Sequence, residues 1–271
     1  MAEIRQICRL TQKPFVITDE DQAFYAKMGV PLPTSCPDER KRRRLAHRNE
    51  RALYHRKCDL TGKSIISNYA AEKPYKVYDQ KEWWSDKWNG LDYGRDFDFT
   101  RTFFEQFAEL QKAVPRMNLM ALSNENSDYT NHVTYLKDCY LLFSSDYSRD
   151  CYYGTWVQES KNCIDNSYLD KCELAYECWN SDRIYNGIYI FNSDQCSDSA
   201  FLYDCRNCQN CFMSYGLRNK QYYFMNQALT KEEYEARMQS IDLGSYSRFQ
   251  AQVQAFKQML EQIPKLYINR T

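Results

Sequence analysis

Histidine is nearly absent: the 271 residues hold three, His47, His55 and His132. The commonest general base is therefore scarce, and neither a Ser–His–Asp nor a Cys–His arrangement is supported. Long apolar runs are missing too, none approaching the roughly 18 residues that would span a membrane. The opening "MAEIRQICRLTQ" is charged and lacks an apolar core, so no signal peptide is read there. Net charge is absent, because 36 Lys plus Arg balance 36 Asp plus Glu, and the total selects no partner. "DLTGKS" ends in Gly62-Lys63-Ser64, but the glycine a phosphate loop needs five residues before Gly62 is Lys57, which excludes that motif. The Thr-x-Thr rows of an ice-binding surface are also missing. Twelve cysteines without an export signal are expected to be reduced thiols in a cytoplasmic protein.

What is there, above all, is cysteine at regular spacing. "DCRNCQNCFMSYG" sets Cys205, Cys208 and Cys211 three apart. An iron–sulfur run would close on a fourth cysteine and a proline; here those places hold Tyr215 and Gly216. A longer period accounts for the spacing better. Cys139, Cys151 and Cys163 are twelve apart, and the same step reaches Ser127, Ala175, Gly187, Ser199 and Cys211, all small. The residue before each is Asn or Asp in seven of eight cases, Leu174 being the exception. Three more small or apolar columns follow at steps of three, beginning at Thr130, Val133 and Leu136, and all nine cysteines beyond residue 100 fall in the four columns. Self-similarity at a fixed period signals a repeat architecture whose units stack over a continuous core. The expected fold class is α+β, with a right-handed parallel β-solenoid of twelve-residue repeats. A coil of 24 residues, two units per turn, is the alternative. A bore that narrow selects Cys, Ser, Ala and Gly by volume, so these cysteines are expected to be metal-free core.

The neutral total hides a local excess. From Glu39 to Lys57, nine Lys or Arg face two Glu, a surplus of seven. Pro37, Asp38 and Glu39 suit a first helical turn, which predicts a helix over about 37–55. Arg40, Lys41, Arg42, Arg43, Arg44, Arg48 and Arg51 are the candidate nucleic-acid-binding residues, because guanidinium forks match phosphate oxygens. A solvated helix paired with the chain's own acidic remainder is the competing reading.

Four segments are expected: a head at 1–64, an α/β linker and N-terminal solenoid cap at 65–125, repeats at 126–225, and C-terminal helices at 226–271 forming a second cap. Thr18 and Gly29 bound a short helix in the head. Thr102 and Glu105 suggest a capping box, followed by a buried stripe of Phe103, Phe107, Leu110 and Val114. Thr230 and Glu233 repeat the capping pattern, and a final helix over about 246–263 carries Phe249, Val253, Phe256, Leu260 and Ile263. One position after the Ser127 column runs an outward row including Tyr140, Tyr152, Tyr176, Ile188 and Phe212. That row is larger than a soluble monomer leaves bare, which predicts a homodimer interface.

The stretches "KPFVITDEDQAFYAKMGVPLPTSCP", "RRLAHRNERALYHRKCDLTGK" and "YKVYDQKEWWSDKWNGLDYGRDFDF", with the Cys/aromatic repeats, resemble a family of cysteine-rich proteins from ultra-small environmental bacteria. That resemblance implies a zinc-ribbon-like N-terminus with two CxxC pairs. Cys8 and Cys36 match the first cysteine of each pair, while Thr11 and Glu39 stand at the partner positions. Half the ligands are therefore missing, and no cofactor is expected. Zinc on Cys8, Cys36, His55 and Cys58 is the one metal reading left open. The functional expectation is a non-catalytic binding or scaffold protein that contacts RNA or DNA backbone. A carbohydrate-binding or polysaccharide-modifying β-helix is the alternative, for which the column Asp146, Asp170, Asp182 and Asp194 is the nearest thing to a stacked acidic row.

Overall fold

The structure is a computed structural model that describes residues 3–46 and 49–263. The chain divides into two units, Met1–Ala52 and Leu53–Thr271, so the break precedes the expected boundary at 64.

The first unit opens with an antiparallel hairpin, β1 (Ile4–Ile7) and β2 (Pro14–Ile17). Its turn is closed by the Cys8 N–H donating to the Lys13 carbonyl at 2.9 Å, with Gln12 left-handed at φ 56°. Helix α1 (Asp19–Met28) begins on a reciprocal Thr18–Asp21 capping box and stops at Gly29, which takes φ 65°. Helix α2 (Pro37–Leu45) has Pro37 in its first turn. It is half the expected length. After Leu45 the Asn49 side chain both donates to the Ala52 carbonyl, at 2.9 Å, and accepts from its N–H, at 3.0 Å. That local turn competes with the helix, and Tyr54–Lys57 is a strand. Cys8, Phe15, Ile17 and Cys36 form the small core of this unit.

The second unit starts with a hairpin of the same build, β3 (Tyr54–Lys57) and β4 (Ser64–Ser67). The Cys58 N–H donates to the Lys63 carbonyl at 2.8 Å, and Gly62 sits at φ 72°. Strands β5 (Val77–Tyr78) and β6 (Arg116–Met117) pair in parallel. Between them lie α3 (Gln80–Trp83), a 3-10 turn at Gly90–Tyr93, and α4 (Phe103–Ala113). No residue of α4 is fully buried: of the stripe expected to be core, Phe103 and Phe107 face solvent, while Leu110 and Val114 are half-buried.

From Ala121 onward the chain winds into a parallel β-solenoid of about nine coils. Cys151 pairs with Cys163, Thr155 with Ser167, and Cys196 with Cys208. Each partner is twelve residues on, so one repeat makes one coil. Every third residue from Val133 to Leu217 is buried, four per coil, and these are the four columns of the sequence pattern. The residue before each inward position is left-handed, as at Asp138 (φ 53°), Tyr147 (φ 52°) and Trp156 (φ 58°). A coil therefore has four sides of three residues with a left-handed corner between sides. Asn and Asp dominate one corner column; the other three hold some, such as Asn180, Asn192 and Asp204, but keep the same conformation with Tyr147, Trp156, Phe201, Glu159 or Arg183. Such a backbone costs about 1–2 kcal/mol per non-glycine residue, and stacking offsets it. Corner N–H groups donate to the previous coil, as Tyr147 does to Thr134 and Glu159 to Asp146, both at 3.0 Å.

Inward serines and cysteines join the coils in one shared pattern. Ser148 Oγ donates toward the carbonyls of Asp146 (3.1 Å) and Val157 (3.0 Å) and accepts from the Ser160 N–H (3.2 Å). Cys139 Sγ meets the carbonyls of Lys137 (3.3 Å) and Ser148 (3.5 Å), the equivalent positions. Large aliphatics are interspersed among these small polar residues: Leu142, Val157, Leu169, Ile184, Ile190 and Leu202 are all buried.

After the last coil come α5 (Lys231–Gln239), on a Thr230–Glu233 capping box, and α6 (Tyr246–Gln262). Val253 and Phe256 of α6 are buried in a cluster with Ala200, Phe201, Phe212 and Met213 of the solenoid wall. Phe256 lies 5.6 Å from Phe201 and 5.3 Å from Phe191, ring to ring.

Candidate nucleic-acid interface

Helix α2 places five basic residues in consecutive positions, and its structure sorts them. Arg40 is half-buried and donates to the Tyr25 hydroxyl at 2.6 Å. Arg42 grips Glu39 with two parallel bonds, Nε to Oε2 at 2.8 Å and a guanidinium nitrogen to Oε1 at 2.5 Å. Glu39 is only 5 % exposed, and the Arg42 hydrogen bonds hold its carboxyl below the ordinary range. These two arginines belong to the fold of the unit. Lys41, Arg43 and Arg44 are exposed and have no ion-pair partner among the described residues. Arg43 and Arg44 also stand in the last helical turn, where positive charge stabilises the helix dipole. Arg51 lies beyond the helix, in the Asn49–Ala52 turn, and is exposed. Arg48 lies outside the described residues.

The four candidate zinc ligands are divided between the two units. Cys8 and Cys36 belong to the first unit, His55 and Cys58 to the second. Among the described residues no group of three His, Cys, Asp or Glu is disposed to hold a metal ion. Where a CxxC pair would place a second thiolate, Thr11 sits with its hydroxyl 3.8 Å from Cys36 Sγ, and Glu39 is taken by Arg42. The Thr11 hydroxyl and then the Cys36 N–H bring the Cys8 thiol down to about 6. His55 instead rests edge-on against Tyr129, 6.3 Å between rings.

One feature went unread in the sequence although its signal was there. Cys8-Arg9-Leu10-Thr11-Gln12-Lys13 and Cys58-Asp59-Leu60-Thr61-Gly62-Lys63 share Cys-x-Leu-Thr-x-Lys. In each unit the N-cap residue of a later helix, Cys36 of α2 or Asp79 of α3, gives its backbone N–H to the thiol. For Asp79 and Cys58 the distance is 3.2 Å. Burial raises the Cys58 thiol, but the Thr61 hydroxyl and the Asp79 N–H outweigh it and lower it overall.

All twelve cysteines are free and buried. Contact with Cys139 and Cys163, together with burial, pushes Cys151 upward, and burial pushes Cys172 up to about 12. Cys208 goes the other way, lowered by the neighbouring Cys196, Cys205 and Cys211 thiols. The acidic column is structural as well. Asp146 accepts from Thr134 at 2.6 Å, Asp170 pairs with Lys171 at 3.2 Å, and Asp194 with Arg183 at 2.6 Å. Burial and the flanking Asp170 and Asp194 raise Asp182.

The expected aromatic interface is divided. Phe212 is 1 % exposed, and Ile188 is half-buried, both in the cluster under α6. The Tyr176 ring lies 6.1 Å from Phe249. Only Tyr140 and Tyr152 stand clear of that helix. The chain's own α6 thus takes the part of the row that was assigned to a second subunit, because its stripe and the wall share one apolar column. No protein-family model matches the chain, and no curated protein matches it.

Proposed function

We propose that the chain is a non-catalytic nucleic-acid-binding protein, which holds phosphate backbone through Lys41, Arg43 and Arg44 of α2, with Arg51 beside the helix. The observation that carries this is the separation within one nine-residue helix: Arg40 and Arg42 are committed internally, while three cations stand exposed without acidic partners among the described residues. The solenoid is consistent with this reading: its bore is filled by side chains, and Asp146, Asp170 and Asp194 of its acidic column are engaged by Thr134, Lys171 and Arg183.

Neutralising three phosphates predicts a log–log salt slope of about −2.7 on duplex, or roughly a 40-fold loss of affinity from 50 to 200 mM salt. Fluorescence anisotropy with labelled single-stranded and duplex oligonucleotides reads both. Lys41→Glu with Arg43→Glu and Arg44→Glu should abolish binding with the fold intact. Salt-insensitive binding, or none at the low end of that range, ends the proposal.

A second reading has one observation behind it. Tyr135 and Tyr147 stack at 4.9 Å, and Trp156 and Tyr168 lie 6.3 Å apart, all about half exposed on the solenoid wall. Such flat rings suit sugar faces. Binding of oligosaccharides that survives the α2 substitutions and is lost with Trp156→Ala would favour it.

A further inference from the structure

The most exposed large apolar side chains of the second unit include a group outside the solenoid. Leu91, Phe97, Phe99, Phe103, Phe104 and Phe107 are all exposed, Phe99 by 91 % and Phe104 by 78 %. At roughly 200 Å² for a whole phenylalanine, the five rings leave about 600 Å² in solvent, the upper end of what a monomer tolerates.

This surface is built, not frayed. Gln106 holds the preceding loop against α4: its amide oxygen accepts from the Asp98 N–H at 2.8 Å, and its nitrogen donates to the Asp98 carbonyl at 2.9 Å. Asp98 in turn accepts from the Thr100 hydroxyl at 2.6 Å, and Arg101 pairs with Glu109. Phe97 and Phe99, on either side of Asp98, are thereby fixed beside the helix and lie 5.0 Å apart. Phe103 and Phe107 stack in parallel at 5.5 Å. Rings held in place before association lose little freedom on binding.

We infer that this face is the contact between two copies of the chain, with α4 packing antiparallel on its twin. Three observations select that occupant. About 600 Å² of ring surface, with Leu91 besides, approaches the roughly 800 Å² each partner buries in a standard interface. The stripe is self-complementary: antiparallel pairing about one two-fold axis sets Phe107 against the twin's Leu110 and Phe103 against its Val114. Charge is also kept off it. At about 100° per residue, Glu105, Glu109 and Lys112 fall on the opposite side of the helix, so the helical stripe of the contact is uncharged, as interface cores are, and the adjoining Asp98 and Arg101 are engaged by Thr100 and Glu109. The same charges argue against a lipid surface, since a membrane-lying helix carries Lys and Arg on its polar face, and this one has two glutamates to one lysine.

Sedimentation equilibrium of the full chain at tens of micromolar should give twice the 32.4 kDa chain mass. Phe103→Glu with Phe104→Glu should give the single mass with unchanged helicity and melting, because acidic residues are favoured in a first helical turn. Phe103→Leu with Phe104→Leu should remain a dimer. Amide exchange across 103–113 should slow as concentration rises in the wild type and not in the glutamate variant. A wild type that stays monomeric overturns the inference. So does a glutamate variant that still dimerises, or a wild type whose α4 amides are protected only by lipid vesicles.

Discussion

Gly187 tests the volume rule of the bore most directly. Its φ is not left-handed, so alanine meets no backbone obstacle, and Gly→Ala at a compatible site would ordinarily stabilise by about 0.4–1 kcal/mol. Space decides the sign instead. An added Cβ would lie 2.3 Å from Ile184 Cγ2 and 3.0 Å from Ile190 Cγ1. Carbon contacts settle at about 3.5–4.0 Å, so the Ile184 wall must retreat by more than an ångström in a core with no slack. Overpacking of this kind costs about 1–3 kcal/mol, and Gly187→Ala should fall at the upper end. Ile184→Ala alone should lose about 3 kcal/mol through the cavity it leaves. The double variant places the new methyl in that cavity, so it should be more stable than the sum of the single losses by about 1–3 kcal/mol. Urea titrations followed by tryptophan fluorescence, with Trp179 as a reporter on the wall, give all three values. A neutral Gly187→Ala, or strict additivity, would refute the idea that glycine is there to accommodate the two isoleucines. Gly154→Ala should also lose stability, since its Cβ would lie 2.8 Å from Leu142 Cδ2, 2.9 Å from Val157 Cγ2 and 3.2 Å from the Asn166 carbonyl oxygen.

Ser181→Ala should cost about 2 kcal/mol, because it leaves the Ser193 N–H and the carbonyls of Trp179 and Ile190 without their partner in the bore. Ser181→Cys should cost under about 1 kcal/mol by the same assay, since cysteines make this pattern elsewhere; an alanine variant as stable as serine would discredit the bonding scheme. In the first unit, Cys8 is brought from 9.0 to about 6, so the fold favours its thiolate. Stability from this source is complete above pH 9, declines below it and is gone below about pH 6. The melting midpoint should therefore rise with pH across that window, and Thr11→Val, which removes the hydroxyl, should flatten the rise. Identical pH profiles for the two proteins would count against a thiolate at Cys8.

The sequence by itself determined the repeat, because a bore only four side chains around admits few shapes, and that limit writes small residues into every third position. It also determined the ends of α1, α5 and α6, where Thr18, Gly29, Thr230 and the Phe249–Ile263 stripe act within a turn or two of where they stand. Thr102 caps α4 through the Glu105 N–H, but Phe103 and Phe107 behind it face solvent. Periodicity records that residues share a face and not what lies opposite. Likewise the charge run gave no sign that α2 stops at Leu45, since the Asn49 turn and the pairing of Tyr54–Lys57 lie outside any helical pattern. Tertiary structure alone decided that the coil closes after twelve residues rather than 24, and that all four corners are left-handed. Asn and Asp at one corner reflect a local preference. The tyrosines, tryptophan and phenylalanine at the others are held there by stacked backbone hydrogen bonds, which are properties of the neighbouring coil and not of the residue.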